Sequence, residues 1–265
     1  MTLQRWLTLW DLIPDGEAFT TRFGSTLMPV RRSDVAAMLK VPSSDEERRG
    51  GRVMAWYGGE GAARVLAVDD EAVLLERAQG GRELAAMARG GEDDAATAIL
   101  CETIGRLHAE RPTPPPPVTP LSEWFAALSP GAARFGGVLE RSAGAAAELL
   151  AKPQDIRVLH GDAHHENMLD FGPRGWLAID PKALIGERGY DYANIVCNPD
   201  IETAMAPGRF ERRMEIICEA AGLEMQRQLK WVLAYAGLSA SWTLGGGGDA
   251  GPALRVAERA AASLT

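Results

Sequence analysis

Along the first third of the chain the apolar residues come in short runs broken by turn formers. "TLMPVRRSDVAAMLKV" (26–41) sets two runs around the turn-like "RRSD", and "ARVLAVDDEAVLLERA" (63–78) repeats the arrangement around "DDE". Both read as hairpins. Between them, "SSDEERRGGRVMAWYGG" opens on capping residues and acids and closes at Gly58-Gly59, which predicts a helix. Further on the period changes. In "DDAATAILCETIGRLHA" the residues Ala96, Ile99, Ile104 and Leu107 recur near helical spacing, with Asp93 or Asp94 as the cap. Phe210, Met214, Ile217 and Ala221 fall on one helical face that Gly222 can cap, and 224–243 and 252–264 are helical in character, divided by the glycine run 245–248. "RPTPPPPVTP" (111–120) cannot be helical, because proline lacks the amide proton and clashes with the preceding turn. It reads as a stiff connector into a further helical segment. The pattern therefore predicts a small lobe of two hairpins around one helix, then a larger helical part, with no internal repeat.

One stretch fits neither period. "RVLHGDAHHENMLDFGPRGWLAIDPKALIG" (157–186) places three of the four histidines, four acids and an asparagine between apolar runs. "RVLHGD" reads as a strand entering a loop, "DFGPRG" as a turn and "GWLAID" as a strand ending in Asp180. Asp162 and Asp180 then sit near strand ends, with Asn167 on the loop between. An amide oxygen and a carboxylate held face to face suit Mg2+. A second aspartate beside them could orient and deprotonate an attacking hydroxyl. Taken alone, the residues leave three possibilities open: a metal site, a loop that holds a phosphate donor, or a solvated turn.

Composition narrows the classes. With 265 residues the chain can bury a sizeable core, and 46% hydrophobic with 24% charged residues is ordinary for a globular protein. A formal charge of −8 argues against a sequence-independent grip on nucleic acid and is compatible with a cationic small ligand. Cys101, Cys197 and Cys218 form no CxxC pair, which fits a reduced cytoplasmic setting. Arg5 and Asp11 interrupt the apolar opening, so it lacks the core of a signal peptide, and no run approaches the roughly 18 apolar residues of a membrane span. A cytoplasmic monomer without membrane or nucleic-acid partners is expected.

"HGDAHHEN" resembles the catalytic loop of kinase-like small-molecule phosphotransferases, with the five-residue step from base to metal ligand that protein kinases also use. The wider text "LHGDAHHENMLDFGPRGWLAIDPKALIGERGYDYANIVCNPD" looks like the aminoglycoside phosphotransferases, and within them the branch that contains streptomycin 6-phosphotransferases and hydroxyurea phosphotransferases. "PVRRSDVAAMLKV", "GGEGAARVLAVDDEAVLLERA" and "LSASW" extend the similarity over nearly the whole chain. The resemblance implies an α+β, bilobal kinase-like fold: an antiparallel-sheet, nucleotide-binding lobe over 1–78 with one helix, and a mainly helical catalytic and substrate lobe over 79–265.

It also implies roles. Asp162 is the expected base, Asn167 and Asp180 hold Mg2+, and Lys40 pairs with the ATP phosphates and with a helix glutamate, either Glu46 or Glu47. Backbone groups of Glu76, Arg77 and Ala78 bond the adenine edge, while "TTRFGST" (20–26), with Ser25, covers the phosphates using a single glycine. His160 and Asp191 brace the catalytic loop, and His108 is a structural histidine. Proline follows Asp180 and no A-P-E segment follows, so the in/out switch and peptide platform of protein kinases are not expected. The implied reaction is ATP-dependent phosphorylation of streptomycin on its 6-hydroxyl, conferring antibiotic resistance. Streptidine carries two guanidinium groups, so carboxylates should line the acceptor side: Glu187, Asp200 and Asp249 are candidates, with Trp242 stacking on a guanidinium plane. The rival readings are a kinase of hydroxyurea, choline, homoserine or another small alcohol, a non-catalytic kinase-like binding module, and a zinc metallohydrolase built on His160, Asp162, His164 and His165.

Overall fold

The structure, a computed structural model, describes residues 3–264, so residues 1–2 and 265 of the two expected lobes lie outside it. The N-terminal region runs α1 (Leu3–Leu9), β1 (Ile13–Pro14), β2 (Phe19–Thr20), β3 (Thr26–Arg32), β4 (Val35–Val41), α2 (Asp45–Tyr57), β5 (Val65–Asp69) and β6 (Ala72–Glu76). The strands form one antiparallel sheet in the order β1-β3-β4-β6-β5, with β2 added on β3. The first hairpin pairs Arg32 with Val35 across Ser33-Asp34, and the second pairs Asp69 with Ala72 across Asp70-Glu71. These are the two polar breaks in the apolar pattern.

Helix α2 starts at Ser44, whose side chain accepts from the Glu47 N–H, and stops at Gly58 in the left-handed conformation (φ 63°). One expectation needs correction: α1 gives this region a second helix. It is only seven residues long, too short for a periodic signal. Packing forms it, because Trp6 is fully buried against Leu12, Val30, Ala37, Leu39 and Leu74 on the face of the sheet away from α2.

The C-terminal region contains α3 (Leu84–Arg89), α4 (Asp93–Leu107), β7 (Thr119–Pro120), α5 (Leu121–Trp124), α6 (Leu128–Phe135), α7 (Val138–Ala151), β8 (Ile156–Leu159), β9 (Met168–Asp170), β10 (Trp176–Ala178), β11 (Leu184–Glu187), α8 (Gly189–Ala193), α9 (Ile201–Ala204), α10 (Arg209–Ala221), α11 (Met225–Gly245) and α12 (Gly251–Ser263). Helix α11 is buried over most of its length, from Leu229 to Ser241, and packs on α7, α8 and α12. On α10, Phe210, Met214 and Ile217 face this core, as their spacing predicts, and Gly222 ends the helix in the left-handed region (φ 60°).

One local expectation fails for a tertiary reason. Asp93 does not cap α4 with its side chain. It is fully buried in ion pairs with Arg213 and Arg209 of α10, which hold its carboxyl below the usual range although burial alone would raise it. The proline-rich connector leads into the short helix α5, as expected, and its last two residues join a sheet. Thr119 and Pro120 pair in parallel with Leu184 and Ile185 of β11, whose other neighbour β8 leads into the "HGD" loop.

Candidate active site

The 157–186 stretch folds as two strand–loop units. Strand β8 delivers His160, Gly161 and Asp162 into the loop that precedes β9, and β10 delivers Asp180 just past its end. Asp191, fully buried in α8, receives the His160 N–H at 2.8 Å on one carboxylate oxygen and the Gly161 N–H at 2.7 Å on the other. His108, at the end of α4, bonds the same carboxylate at 2.8 Å. His160 contributes its ring: Nε2 donates to the Ile179 carbonyl at 2.8 Å, and Nδ1 accepts the Asp162 N–H at 3.2 Å. Burial pushes the pKa of this imidazole down, which favours the neutral ring that both bonds require.

Asp162 itself is held on one oxygen by the side-chain amide of Asn194, at 3.1 Å from Oδ1. Asn194 is fixed in turn, because its Oδ1 accepts from the Tyr235 hydroxyl at 2.6 Å and from Asn198 Nδ2 at 2.8 Å. Burial keeps the Tyr235 phenol far above its ordinary pKa, hence neutral and able to donate. His164 Nε2 stands 3.7 Å from the same Asp162 oxygen. Asn167 donates its amide to the Asp162 carbonyl at 2.9 Å, which leaves its side-chain oxygen as the group available to a ligand.

Lys40, in the middle of the sheet, forms an ion pair with Asp180 and a longer one, 3.6 Å, with Glu47. The choice between adjacent glutamates is thus resolved: Glu47 faces Lys40, whereas Glu46 turns to Lys182 at 3.3 Å. Burial alone would raise the Asp180 carboxyl, but Lys40 and Lys182 together hold it below the usual carboxylate range. Lys182 also lies 3.9 Å from Asp162.

Two cavities meet at this loop. An interlobe cavity of about 560 Å³ has Leu27, Met38, Val73, Leu75, Leu169 and Ile179 among its walls, and Lys40, Glu47, Asn167 and Asp180 line it together with Glu76, Arg77 and Ala78. A C-terminal cavity of about 390 Å³ is lined by Asp162, Glu166, Asn194, Tyr235, Asp249 and Arg22, among others. Glu166 borders both.

Other expected site residues are placed elsewhere. Ser25 is fully buried, its hydroxyl taken by the Ser43 N–H at 2.9 Å, so it anchors the 21–25 turn while Thr21 lines the interlobe cavity. At the expected hinge the Glu76 and Arg77 amides already donate to the Arg64 and Ala36 carbonyls, and the Glu76 side chain accepts from the Arg64 N–H. Glu187 is buried, paired with Arg227 at 2.5 Å and bonded to Trp231 and the Gln154 N–H. Asp200 caps α9 through the Thr203 N–H and pairs with Arg89, which together lower its pKa to about 2. Neither carboxylate lines the cavity that holds Asp162. Trp242 packs edge-on against Trp124 and borders a separate surface cleft with Glu46 and Glu123. Of the acceptor-side candidates only Asp249 shares the cavity with Asp162.

Sequence reasoning missed Lys182, Asn194 and Tyr235. Lys182 and Asn194 stand inside stretches already singled out, two residues after Asp180 and three after Asp191. Tyr235 had no local signal; it lies on α11, and only the packing of α11 on α8 brings it to Asn194. A histidine–zinc reading lacks geometric support. His165 is buried with both ring nitrogens unbonded and its pKa pushed down to about 3 by burial, and among the described residues no group of three or more His, Cys, Asp or Glu side chains is arranged to hold a metal.

The sequence model of the aminoglycoside/hydroxyurea antibiotic resistance kinases matches residues 9–247. The chain is 49% identical to a streptomycin 3''-kinase of Klebsiella pneumoniae over 90% of its own length and 91% of the relative's. It is 33% identical to a streptomycin 6-kinase of Streptomyces griseus over 89% and 80% of the two chains. In structure it is similar to an aminoglycoside phosphotransferase solved as a ternary complex with ADP and hygromycin B, with a TM-score of 0.69, 11% identity, and 98% and 97% of the two chains covered. At that identity the likeness speaks for the fold, a kinase-like sheet region followed by a helical region.

Proposed function

The chain belongs to the aminoglycoside/hydroxyurea antibiotic resistance kinase family and is a phosphotransferase, and from this premise we propose that it transfers the γ-phosphoryl group of ATP to a hydroxyl of streptomycin. One observation carries the reading. The candidate base Asp162 opens on the C-terminal cavity, the candidate phosphate and metal groups Lys40, Asn167 and Asp180 open on the interlobe cavity, and Glu166 is common to both. An acceptor in one space and a donor in the other would meet at the 162–167 loop.

In this reading the apolar walls of the interlobe cavity sandwich the adenine, and Lys40, oriented by Glu47, pairs with phosphate oxygens. The free oxygen of Asn167 and the carboxylate of Asp180 suit Mg2+, which prefers oxygen ligands and commonly takes one or two from protein beside substrate phosphates. Bound there, the ion would neutralise phosphate charge. Asp162 accepts a hydrogen bond from the acceptor hydroxyl, aligns it and takes its proton as transfer proceeds. The Asn194 amide on Oδ1 fixes the carboxylate plane, so the oxygen facing the acceptor is set in advance.

The acceptor cavity supports a cationic substrate. Asp162, Glu166 and Asp249 outnumber Arg22, and an ion pair near 4 Å is worth about 1 kcal/mol in water, the setting of the exposed Asp249, and about 4 kcal/mol at an effective dielectric near 20. The 6-hydroxyl is the expectation from the sequence, whereas 49% identity to a 3''-kinase against 33% to a 6-kinase favours the 3''-hydroxyl. The setting we propose is a cytoplasmic monomer; among the described residues no helix is long and apolar enough to cross a membrane. The test is ATP consumption against streptomycin, kanamycin, hydroxyurea and choline, with phosphorus–proton NMR of the product. Streptomycin-specific turnover with phosphate on the 3''-oxygen supports the proposal in full. Phosphate on the 6-oxygen restores the sequence-based position, and turnover with choline or hydroxyurea alone rejects the substrate.

A further inference from the structure

Lys182 stands where the two strand–loop units cross. Its backbone N–H donates to the His160 carbonyl at 2.7 Å, and the residues flanking its short segment, Asp180 and Ala183, both hold left-handed backbone (φ 58° and 56°). Such conformations are strained for residues with a Cβ and persist where the surroundings over-determine them. Their effect here is to lay the lysine stem across Gly161. That glycine has φ 83°, and a Cβ on it would lie 2.9 Å from the Lys182 Cβ and 2.8 Å from Leu184, so the crossing requires glycine in "HGD".

The ammonium then emerges between two acids, 3.9 Å from Asp162 Oδ2 and 3.3 Å from Glu46 Oε1. It also sits 5.5 Å from the centre of the Phe23 ring. Both carboxylates thus lie within ion-pair distance of one ammonium group. Asp162 is thereby held from both sides, by Asn194 on Oδ1 and by a cation at Oδ2. The second acid belongs to the first turn of α2, the helix whose next residue, Glu47, serves Lys40. Helix α2 is pressed onto this segment, since a Cβ on Gly50 would lie 2.3 Å from the Pro181 carbonyl oxygen.

We propose that Lys182 is a positioning residue for Asp162, and that the chain Glu46–Lys182–Asp162 ties the seat of helix α2 to the orientation of the catalytic carboxylate. Helix α2 would thus report the state of the phosphate-pairing lysine through Glu47 and set the acceptor-side carboxylate through Glu46. This rests on the reading of Asp162 as the base.

The test uses Lys182→Met, Lys182→Arg and Glu46→Gln, with kcat and KM for ATP and streptomycin, hydrogen exchange of residues 44–50 in the nucleotide-free protein, and thermal melting. Misplacement of a reacting group costs about 100-fold, so Lys182→Met should lower kcat by about 30- to 100-fold while KM for ATP moves less than about threefold. Lys182→Arg should recover most of the loss. Glu46→Gln should lower kcat several-fold in the wild type and not at all in the Lys182→Met background, the signature of one coupled chain. Exchange at the start of α2 should speed up in Lys182→Met and in Glu46→Gln but not in Lys182→Arg. A near-wild-type kcat in Lys182→Met, a loss that arginine does not recover, or an equal Glu46→Gln effect in both backgrounds overturns the proposal. If Lys182→Met does not fold, the exchange and kcat of Glu46→Gln and Lys182→Arg decide by the same criteria. If Asp162→Ala itself retains turnover, the functional reading falls; if it is inactive while Lys182→Met is not impaired, only the positioning role falls.

Discussion

The interlobe cavity takes about half of its apolar lining from contiguous strands of one sheet, whereas the C-terminal cavity gathers polar side chains from a turn at Arg22, the 162–166 loop, Asn194, α11 and the loop before α12. One wall of the first is a sheet surface that carries Lys40. Its geometry follows from the pleat, which puts alternate residues on one face. The second depends on α11 and α12 packing against α8 and its continuation, which brings Tyr235 and Asn194 to the loop that carries Asp162. A nucleotide-type pocket can therefore persist while the acceptor pocket is rebuilt, and specificity for the acceptor has to be sought in the helical region.

This contrast can be broken most severely at the boundary. Asp162→Ala should cut kcat by about 1,000-fold, the scale of a lost general base, while the melting temperature stays near that of the wild type, since the carboxylate is partly exposed. A folded variant with near-wild-type turnover would erase the distinction between the two cavities. On the interlobe side, Lys40→Met should raise KM for ATP and lower kcat, together reducing kcat/KM by about 100-fold, with KM for streptomycin little changed. Glu47→Gln should produce a weaker form of the same pattern. On the acceptor side the direction reverses: Asp249→Asn should raise KM for streptomycin by about five- to tenfold, near 1 kcal/mol, and leave KM for ATP alone. If Asp249→Asn instead weakens ATP binding, the two cavities are not separate sites.

The smallest effect sharpens the comparison through stability. His160 and His165 are both buried with pKa values pushed down, His165 from 6.5 to about 3. In the unfolded chain each takes up a proton near pH 6.5 while the folded form does not, so the unfolded state binds more protons. Stability is therefore complete above that pH and falls as pH drops toward the folded values, at up to about 1.4 kcal/mol per unit for each histidine. Melting curves between pH 7 and pH 4 should show this slope, and His165→Phe should flatten it in part. An unchanged slope in that variant would place the effect elsewhere.

How much was legible follows the same division. The hairpins over 26–41 and 63–78, helix α2 with its Ser44 and Gly58 ends, and the pairing of Asp162 with Asn167 and Asp180 in one stretch are local patterns, and the chain alone displays them. Helix α1, the burial of Asp93, and the pairing of Thr119 with Leu184 are not, because each depends on a partner far away in sequence. Acidic residues carried the least information. Glu187, Asp200 and Asp249 look alike as letters, yet one is a buried partner of Arg227, one a helix cap, and one lines the cavity that holds Asp162.

From its sequence alone the protein shows its family resemblance and the loop in which a base, an amide and a second acid recur at kinase spacing, since these lie within one short run whose strands and turns are encoded locally. Only the tertiary structure decides which of two adjacent glutamates pairs with Lys40, that Lys182 stands beside Asp162, and which carboxylates share a cavity with Asp162. A helix turns its neighbouring side chains about 100° apart, so their partners are chosen by what packs on each side rather than by the residue itself.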